Sequence, residues 1–285
     1  MTMRQSLTDA VRCLSSISQE EAYLEAQLLL MAVTGMTRES LFQNLTQDIS
    51  PANEEVLHQL LARRLRREPL PYIIRRRFFF GLEFYVDGRV LIPRPESELL
   101  VEKALQIAEE KGIHLAADVG TGSGAIAVSL AVNLPHTLFY ATDISSPALE
   151  VAAINCRRHG VQERVHLLQG DLVDPLPHAV DLLVANLPYI SHVTLPTLAP
   201  EIRHFEPAIA LDGGEDGLHC IARFLATAGP KLRPGGALLI EIGESQKQEA
   251  VPIARKYFPK SEIVVIPDLA GKDRVLLVRT DALIP

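Results

Sequence analysis

The sequence predicts an α/β fold, a doubly wound and mostly parallel sheet of seven strands, preceded by a small N-terminal helical bundle and a β-hairpin linker. Three observations predict it. Residues 1–68 have helical periodicity, residues 78–92 combine aromatic residues with glycine turns, and from residue 115 apolar runs alternate with helical segments. The expected domains are therefore a helical domain over residues 1–77, the linker over 78–92 and a larger α/β domain over 93–285.

Four helices are expected in the N-terminal domain. Ser6-Leu7-Thr8-Asp9 resembles the start of the first, and Ser18-Gln19-Glu20-Glu21 is typical of a capping box that opens the second. A short third helix is expected around Leu41. The fourth begins at Ser50-Pro51, where proline suits the first turn, and ends before Pro69. These segments predict a small helical bundle.

Seven arginines lie in or just after the last of these helices. They are Arg63, Arg64, Arg66, Arg67, Arg75, Arg76 and Arg77. Two interpretations are open: a solvated helix face and linker, or a docking surface for an acidic partner or for RNA phosphate.

The linker is expected to contain two strands around a glycine turn, with a second turn at Asp87-Gly88. After it, Pro93-Arg94-Pro95-Glu96 cannot form regular structure, because two prolines interrupt it. Arg94 and Glu96 could therefore be held at a site. Alternatively, the glutamates here complement the dipole of the helix that follows through Leu99.

The α/β domain is expected to have strands at 116–120, 138–142, 165–169, 181–185, 236–242, 262–266 and 274–279, and helices near 124–133, 146–159, 217–229 and 245–257. No helix fits between the last two strands, so they should pair antiparallel. The segment 188–216 contains many prolines and glycines and little periodicity. Because loops of this length are usually functional, we expect it to bind substrate.

Polar residues follow three consecutive strands, where ligands of such sheets collect. A G-x-G-x-G loop follows the first strand, Asp143 ends the second and could accept both ribose hydroxyls, and Asp171-Leu172 ends the third and could bind an adenine. The glycine loop alone is compatible with S-adenosylmethionine or NAD, but the three strand ends together with Asn186 favour S-adenosylmethionine. The predicted cofactor-binding residues are Gly120, Thr121, Gly122, Ser123, Gly124, Asp143, Asp171, Leu172 and Asn186.

Asn186-Leu187-Pro188-Tyr189 follows the apolar run 181–185 and so stands at the end of a buried strand. An NH2 group on an amide or an amino-purine is a weak nucleophile, so an enzyme must hold both of its N–H bonds. Asn186 Oδ1 could accept one and the carbonyl of Leu187 the other, because Pro188 stiffens the turn. Tyr189 could lie against the planar group that carries the nitrogen.

Composition narrows the class of protein. A formal net charge of −7 weighs against a stable nucleic-acid complex, because that affinity is mostly phosphate neutralisation. The three cysteines and nine histidines show no ligand spacing, so neither a disulfide framework nor a metal site is expected. With no signal-peptide pattern and no apolar run approaching the ~20 residues that span a bilayer, we expect a cytoplasmic protein with no membrane partner.

The glycine loop with Asp143 resembles the class I S-adenosylmethionine-dependent methyltransferases over residues 93–285. A narrower resemblance comes from Val90–Glu98, the N-x-P-Y motif, Glu206-Pro207 and Leu211–Gly217. With the helical N-terminal domain, these segments resemble the release factor glutamine methyltransferases over essentially the whole chain.

That resemblance implies methyl transfer from S-adenosylmethionine, which leaves S-adenosylhomocysteine, to the glutamine in the GGQ loop of peptide chain release factors. The product would be N5-methylglutamine, and no metal would be needed. It also implies that the N-terminal bundle helps to bind the protein substrate. The predicted catalytic residues are Asn186, Pro188 and Tyr189, and the predicted substrate-binding residues are Asn186, Leu187, Pro188, Tyr189, Arg94 and Glu96.

One position departs from the family pattern. The family usually has N-P-P-Y, whereas this chain has Leu187, which keeps the backbone carbonyl but loses some rigidity. N-L-P-Y is also typical of ribosomal RNA adenine dimethyltransferases. The alternatives are a ribosomal-protein glutamine N5-methyltransferase, an adenine-N6 methyltransferase acting on RNA or DNA, and a protein that binds the cofactor without transferring its methyl group.

Overall fold

A computed structural model describes residues 1–281, which form two compact units. The first contains Met1–Arg76 and Ala199–Phe205, and the second contains Arg77–Leu198 and the chain from Glu206 onwards. These units differ from the sequence-based domains in two places: residues 199–205 belong to the helical unit, and the hairpin belongs to the larger one. Residues 282–285 of the expected third domain lie outside the described residues.

The helices are α1 (Met3–Leu14), α2 (Ala22–Thr34), α3 (Arg38–Gln43), α4 (Pro51–Leu65), α5 (Leu70–Ile74), α6 (Glu98–Lys111), α7 (Ala125–Asn133), α8 (Ser146–Arg158), α9 (Pro200–Phe205), α10 (His219–Ala228) and α11 (Lys247–Tyr257). The strands are β1 (Arg77–Phe79), β2 (Leu82–Phe84), β3 (Leu115–Val119), β4 (Leu138–Asp143), β5 (Val165–Gln169), β6 (Val180–Ala185), β7 (Leu232–Glu241), β8 (Glu262–Pro267) and β9 (Asp273–Arg279).

In the first unit, α1 to α5 share one apolar core. Its fully buried side chains include Leu14, Leu29, Leu30, Leu41 and Leu57. The expected bundle is therefore present, with one short helix, α5, that the periodicity did not predict.

The expected start of the first helix is wrong, and that of the second is formed only in part. Thr2 caps α1 in a capping box with Gln5, so Ser6 lies inside the helix. The second helix begins at Ala22 without a side-chain cap, and Ser18 Oγ accepts the Glu21 N–H at 3.4 Å in the turn before it, which is one half of the expected capping box. Ser50 does cap α4, as expected, by accepting a bond from the backbone of Asn53.

Three of the seven arginines are engaged inside the first unit. Arg63 pairs with Glu68, and the buried Arg64 binds Glu25 at 2.9 Å and Glu201 of α9 at 3.1 Å. Arg67 also pairs with Glu201, at 2.8 Å. Carboxylates of the same unit therefore balance the charges of these three residues, which weighs against the docking interpretation for them. The side chains of Arg63 and Arg67 are still 32% and 37% exposed.

In the second unit, the sheet has the strand order β5-β4-β3-β6-β7-β9-β8. The pairs up to β7 are parallel, and β9 pairs antiparallel with both β7 and β8. Helices α6 and α7 share a core with one face, and α10 and α11 with the other. The doubly wound, mostly parallel sheet of seven strands and the antiparallel final pair are confirmed.

Register decides which residues meet at the edge of the sheet. Val119 of β3 pairs with Ala185 of β6, which pairs with Ile240 of β7. The next residues along these strands are Gly120, Asn186 and Glu241. Because the strands are parallel, these three residues emerge side by side at the carboxyl ends.

The hairpin is shorter than expected. β1 and β2 pair antiparallel from Arg77 to Phe84, and the chain from Tyr85 to Ile92 is irregular. The expected turn at Asp87-Gly88 is present, closed by a bond from Val90 N to the Asp87 carbonyl at 3.1 Å.

The segment 188–216 is more ordered than its many prolines and glycines suggested. It contains two 3₁₀ turns, Leu195–Thr197 and Ala208–Ala210, besides α9. In the second unit, Ile190 and Asp212 form a parallel bridge, and Ile190 N donates to the Leu211 carbonyl at 3.1 Å. Both ends of the segment are therefore held next to the end of β6.

Candidate active site

A cavity of about 390 Å³ lies at the carboxyl ends of the parallel strands. Its size is in the range of small-molecule and cofactor sites. Eleven of the predicted site residues line it: Arg94, Gly120, Thr121, Gly122, Ser123, Asp143, Asp171, Leu172, Asn186, Leu187 and Pro188. Glu96, Gly124 and Tyr189 do not.

The Asp118 side chain holds the glycine loop, residues 120–124, through hydrogen bonds to the loop and to the helix that follows it. Its Oδ2 accepts the Thr121 hydroxyl at 2.6 Å and the backbone N–H of Ala127 at 3.1 Å. Burial raises the pKa of Asp118 to about 6. Gly120 and Gly122 have φ of +74° and +53°, a region that glycine enters at no steric cost, so the loop can curve around the cavity.

Asp143 fastens the loop from the next strand. Its two carboxylate oxygens accept the backbone N–H groups of Gly122 and Ser145, both at 2.8 Å. Each oxygen keeps a lone pair for a further donor. Burial raises the pKa of Asp143, and the two N–H bonds act against that effect.

Gly124 has a packing function. A Cβ at this position would lie 3.2 Å from the Cβ of Ala152, so glycine allows α7 and α8 to approach each other. Gly124 was predicted to bind the cofactor, but it does not line the cavity.

Asp171 and Leu172 lie where the sequence predicted, at the cavity. The Asp171 carboxylate pairs with Arg223, which also lines the cavity. Leu172 has φ of +47°, a strained conformation for leucine, and its carbonyl accepts the Thr142 hydroxyl at 2.8 Å. One oxygen of Asp171 is thus already engaged by a neighbouring cation.

Asn186 is oriented by its neighbours. Its Nδ2 donates to Ser97 Oγ at 2.9 Å, and Ser97 Oγ donates to Glu241 Oε2 at 2.6 Å. Within residues 1–281, no residue binds Asn186 Oδ1, so this oxygen is the end of the amide that is free to accept an N–H.

The Leu187 side chain turns into the core and is 4% exposed. A Cβ on Gly120 would lie 2.9 Å from Leu187 Cδ2, so leucine at this position requires glycine at the start of the loop. The segment that follows β6 is in this way packed directly against the glycine loop.

Tyr189 lies beside the cavity. Its hydroxyl donates to Glu241 Oε1 at 3.0 Å, and both burial and the nearby carboxylate raise the tyrosine pKa. Its backbone carbonyl accepts from Gln246 Nε2 at 3.0 Å, and the same nitrogen donates to the Gly217 carbonyl at 3.1 Å. Tyr189 is therefore held at both ends, and it is not among the residues that line the cavity.

Arg94 and Glu96 have different environments. Arg94 pairs with the buried Glu206, whose other oxygen accepts the Ile92 N–H at 3.1 Å. Glu96 is exposed and outside the cavity wall. The structure thus brings Arg94, but not Glu96, to the cavity.

Within residues 1–281, no group of three or more His, Cys, Asp or Glu side chains is arranged to hold a metal ion. No helix in the same range is long and apolar enough to cross a membrane.

Comparison with known proteins agrees with this architecture. A family model described as the PrmC N-terminal domain matches residues 5–74, and one described as the methyltransferase small domain matches residues 95–202. The release factor glutamine methyltransferase of Moorella thermoacetica is 44% identical over 278 residues, 97% of this chain and 98% of that protein. The chain belongs to the release factor glutamine methyltransferase family.

A second relative, the release factor glutamine methyltransferase of Geobacter sulfurreducens, is 41% identical over 248 residues, which are 87% of this chain and 86% of that protein. The crystal structure of a methyltransferase from Pyrococcus furiosus has a TM-score of 0.53 at 20% identity, covering 71% of this chain and 91% of that one. The last similarity shows a shared fold. The family and the fold class predicted from the sequence are both confirmed.

In this member of the release factor glutamine methyltransferase family, sequence reasoning missed three polar residues at the site: Ser97, Glu241 and Gln246. Glu241 carried a usable signal, because a carboxylate directly after the apolar run 237–240 is unusual in a buried strand. Ser97 and Gln246 had no comparable signal, since serine and glutamine are common at helix starts.

Proposed function

We propose that this protein transfers the methyl group of S-adenosylmethionine to the side-chain amide nitrogen of the glutamine in the GGQ loop of peptide chain release factors. The products are N5-methylglutamine, S-adenosylhomocysteine and one proton, which the amide nitrogen releases to water. The observation that carries the proposal is the Asn186 amide, whose Nδ2 is engaged by Ser97 while its Oδ1 is left for a substrate N–H. Membership of the release factor glutamine methyltransferase family supports the choice of substrate.

The cavity residues fit this cofactor. The curved Gly120–Gly122 loop suits close approach of a ligand, Asp143 keeps lone pairs for ribose hydroxyls, and Leu172 offers an apolar surface for an adenine. When bound, S-adenosylmethionine supplies an electrophilic methyl group whose leaving thioether needs no proton. The chain therefore has to hold and aim the acceptor, and needs no strong general acid.

The acceptor amide is a weak nucleophile, because its lone pair is delocalised into the carbonyl. Asn186 Oδ1 and the Leu187 carbonyl would each accept one of its two N–H bonds, which fixes the nitrogen in one orientation. The same acceptors stabilise positive charge that develops on the nitrogen. Positioning of this kind can supply about 7–11 kcal/mol of the barrier.

The other predicted residues act around this pair. Arg94 lines the cavity and is kept as a substrate-facing residue, and Pro188 fixes the turn through which the Leu187 carbonyl is presented. The helical unit assists in binding the release factor. The reaction takes place in the cytoplasm, where release factors meet the ribosome.

The first experiment measures transfer of labelled methyl from S-adenosylmethionine to a purified release factor, with its GGQ glutamine intact or replaced by alanine. Parallel reactions contain ribosomal RNA, DNA and ribosomal proteins. Label that requires the glutamine supports the proposal. Label on RNA or DNA, or on ribosomal proteins alone, would overturn it in favour of an alternative substrate.

The role of Asn186 is tested with Asn186→Ala. We expect loss of turnover, because the alanine cannot hold an N–H, with cofactor affinity within about threefold of the wild type, since the glycine loop and Asp143 are untouched. Equilibrium dialysis with S-adenosylmethionine measures the affinity. Parallel loss of turnover and of cofactor affinity would contradict the assigned role.

A further inference from the structure

A buried chain of hydrogen bonds holds the side chain of Asn186. It runs from Asn186 Nδ2 to Ser97 Oγ over 2.9 Å and from Ser97 Oγ to Glu241 Oε2 over 2.6 Å. Ser97 is 3% exposed and Glu241 is 1% exposed, so water does not compete for these partners. Both inner residues come from elements distant in sequence, the start of α6 and the end of β7.

The number of hydrogens in this chain fixes its direction. Burial raises the pKa of Glu241, and the hydroxyl bonds from Ser97 and Tyr189 and the nearby charge of Arg274 act against that effect and favour the carboxylate. A carboxylate can only accept, so the single hydroxyl hydrogen of Ser97 points to Glu241. The serine oxygen then presents only lone pairs to Asn186. The NH2 end of the amide must therefore face Ser97, and the carbonyl end must face the opposite way, toward an incoming N–H.

Without this chain the amide could rotate by 180° at little steric cost, because its oxygen and nitrogen have nearly the same size. The rotated amide would present NH2 to the NH2 of the substrate, and two donors cannot bond. Orientation of this one amide thus separates a productive site from an unproductive one.

Glu241 also receives the Tyr189 hydroxyl, at 3.0 Å on Oε1. One carboxylate therefore uses each of its oxygens to hold one polar side chain of the N-x-P-Y motif, directly for Tyr189 and through Ser97 for Asn186. A buried carboxylate that accepts two hydroxyl donors is well satisfied and stays in place.

We propose that Ser97 and Glu241 are positioning residues that set the orientation of the Asn186 amide for catalysis. The inference rests on the proposed function, because it assigns a direction to the acceptor of that reaction. Neither residue touches the reacting atoms, and each acts through Asn186.

A matched pair of variants tests it. Ser97→Thr keeps the hydroxyl, and Ser97→Val has nearly the same shape without it. We expect Ser97→Val to lower kcat about 10–100-fold, the usual effect of removing an orienting partner, with little change in KM for the release factor. Ser97→Thr is expected to recover most of the rate. Equal kcat values for the two variants, or a loss in Ser97→Val that falls equally on KM and cofactor affinity, would overturn the inference.

A second variant addresses the carboxylate. Glu241→Gln keeps the shape but carries one NH2, so either Ser97 or Tyr189 loses its acceptor. We expect a kcat loss of about 10-fold or more. An unchanged kcat in Glu241→Gln would overturn the inference.

One readout needs no activity. The side-chain NH2 of Asn186, assigned in NMR spectra by its absence from Asn186→Ala, should exchange slowly with solvent in the wild type and in Ser97→Thr, and fast in Ser97→Val. Absence of label transfer by the wild type would refute the proposed function while this exchange pattern still tests the hydrogen-bond chain. Fast exchange in the wild type would refute the chain itself.

Discussion

Two glycines with the same backbone conformation but different surroundings allow a controlled test of how the N-x-P-Y motif is held. Gly217 has φ of +80° and Gly271 has φ of +77°. A Cβ on Gly217 would overlap the Tyr189 carbonyl oxygen and lie 2.8 Å from Gln246 Nε2, whereas a Cβ on Gly271 would meet nothing within 4 Å. Both lie in the larger unit, so one unfolding transition reports on both.

The expected costs follow from these contacts. Alanine in the left-handed region costs about 1 kcal/mol at either position. At Gly217 the new methyl must also displace Gln246, whose Nε2 donates to Tyr189 and Gly217 at 3.0 and 3.1 Å. Loss of those two bonds adds about 2 kcal/mol. We therefore expect Gly217→Ala to lower the free energy of unfolding by about 3 kcal/mol and Gly271→Ala by about 1.

Urea unfolding followed by circular dichroism measures the difference, and methyl transfer to the release factor measures its consequence. Because Gly217→Ala moves the Tyr189 carbonyl, two residues from the Leu187 carbonyl, we expect kcat to fall about 10–100-fold. Gly271 lies in the turn between β8 and β9, away from the cavity residues, and its variant should keep the wild-type kcat. Equal unfolding free energies for the two variants would refute the reasoning.

Two further predictions concern buried charges. Arg64→Ala should lower the free energy of unfolding of the helical unit by about 3–5 kcal/mol, because it leaves the buried Glu25 without its partner. The control, Arg66→Ala, should change it by less than about 0.5 kcal/mol, because Arg66 is exposed. Urea unfolding measures both variants, and equal effects would contradict the ion-pair account. Burial raises the pKa of Asp118 from 3.8 to about 6, so the unfolded chain ionises first as pH rises, and the wild type should lose up to about 3 kcal/mol of stability relative to Asp118→Asn between pH 4 and pH 6. A stability gap between these two proteins that does not change with pH would show that the Asp118 pKa is not raised.

Much of the larger unit followed from local sequence patterns. Alternation of apolar runs with helical segments placed the strands of the sheet within a few residues, because strand and helix periodicities are properties of neighbouring residues. The glycine loop, Asp143 and Asn186 could be assigned to strand ends for the same reason. The connection between β8 and β9 is too short for a helix, and this was enough to predict their antiparallel pairing.

What the sequence could not decide depends on contacts between distant residues. The register of β3, β6 and β7 brings Gly120, Asn186 and Glu241 side by side, and no local pattern encodes that register. In the same way, α9 joins the helical unit through Glu201, which pairs with arginines more than a hundred residues earlier in the chain.

The orientation of Asn186 is the clearest case of this division. The sequence determined that an amide stands at the end of a buried strand and can accept an N–H. Which end of that amide faces the substrate depends on Ser97 and Glu241, 89 residues before and 55 after it. A hydrogen bond is set by distance and by the number of hydrogens available, and only the tertiary structure brings those donors and acceptors together.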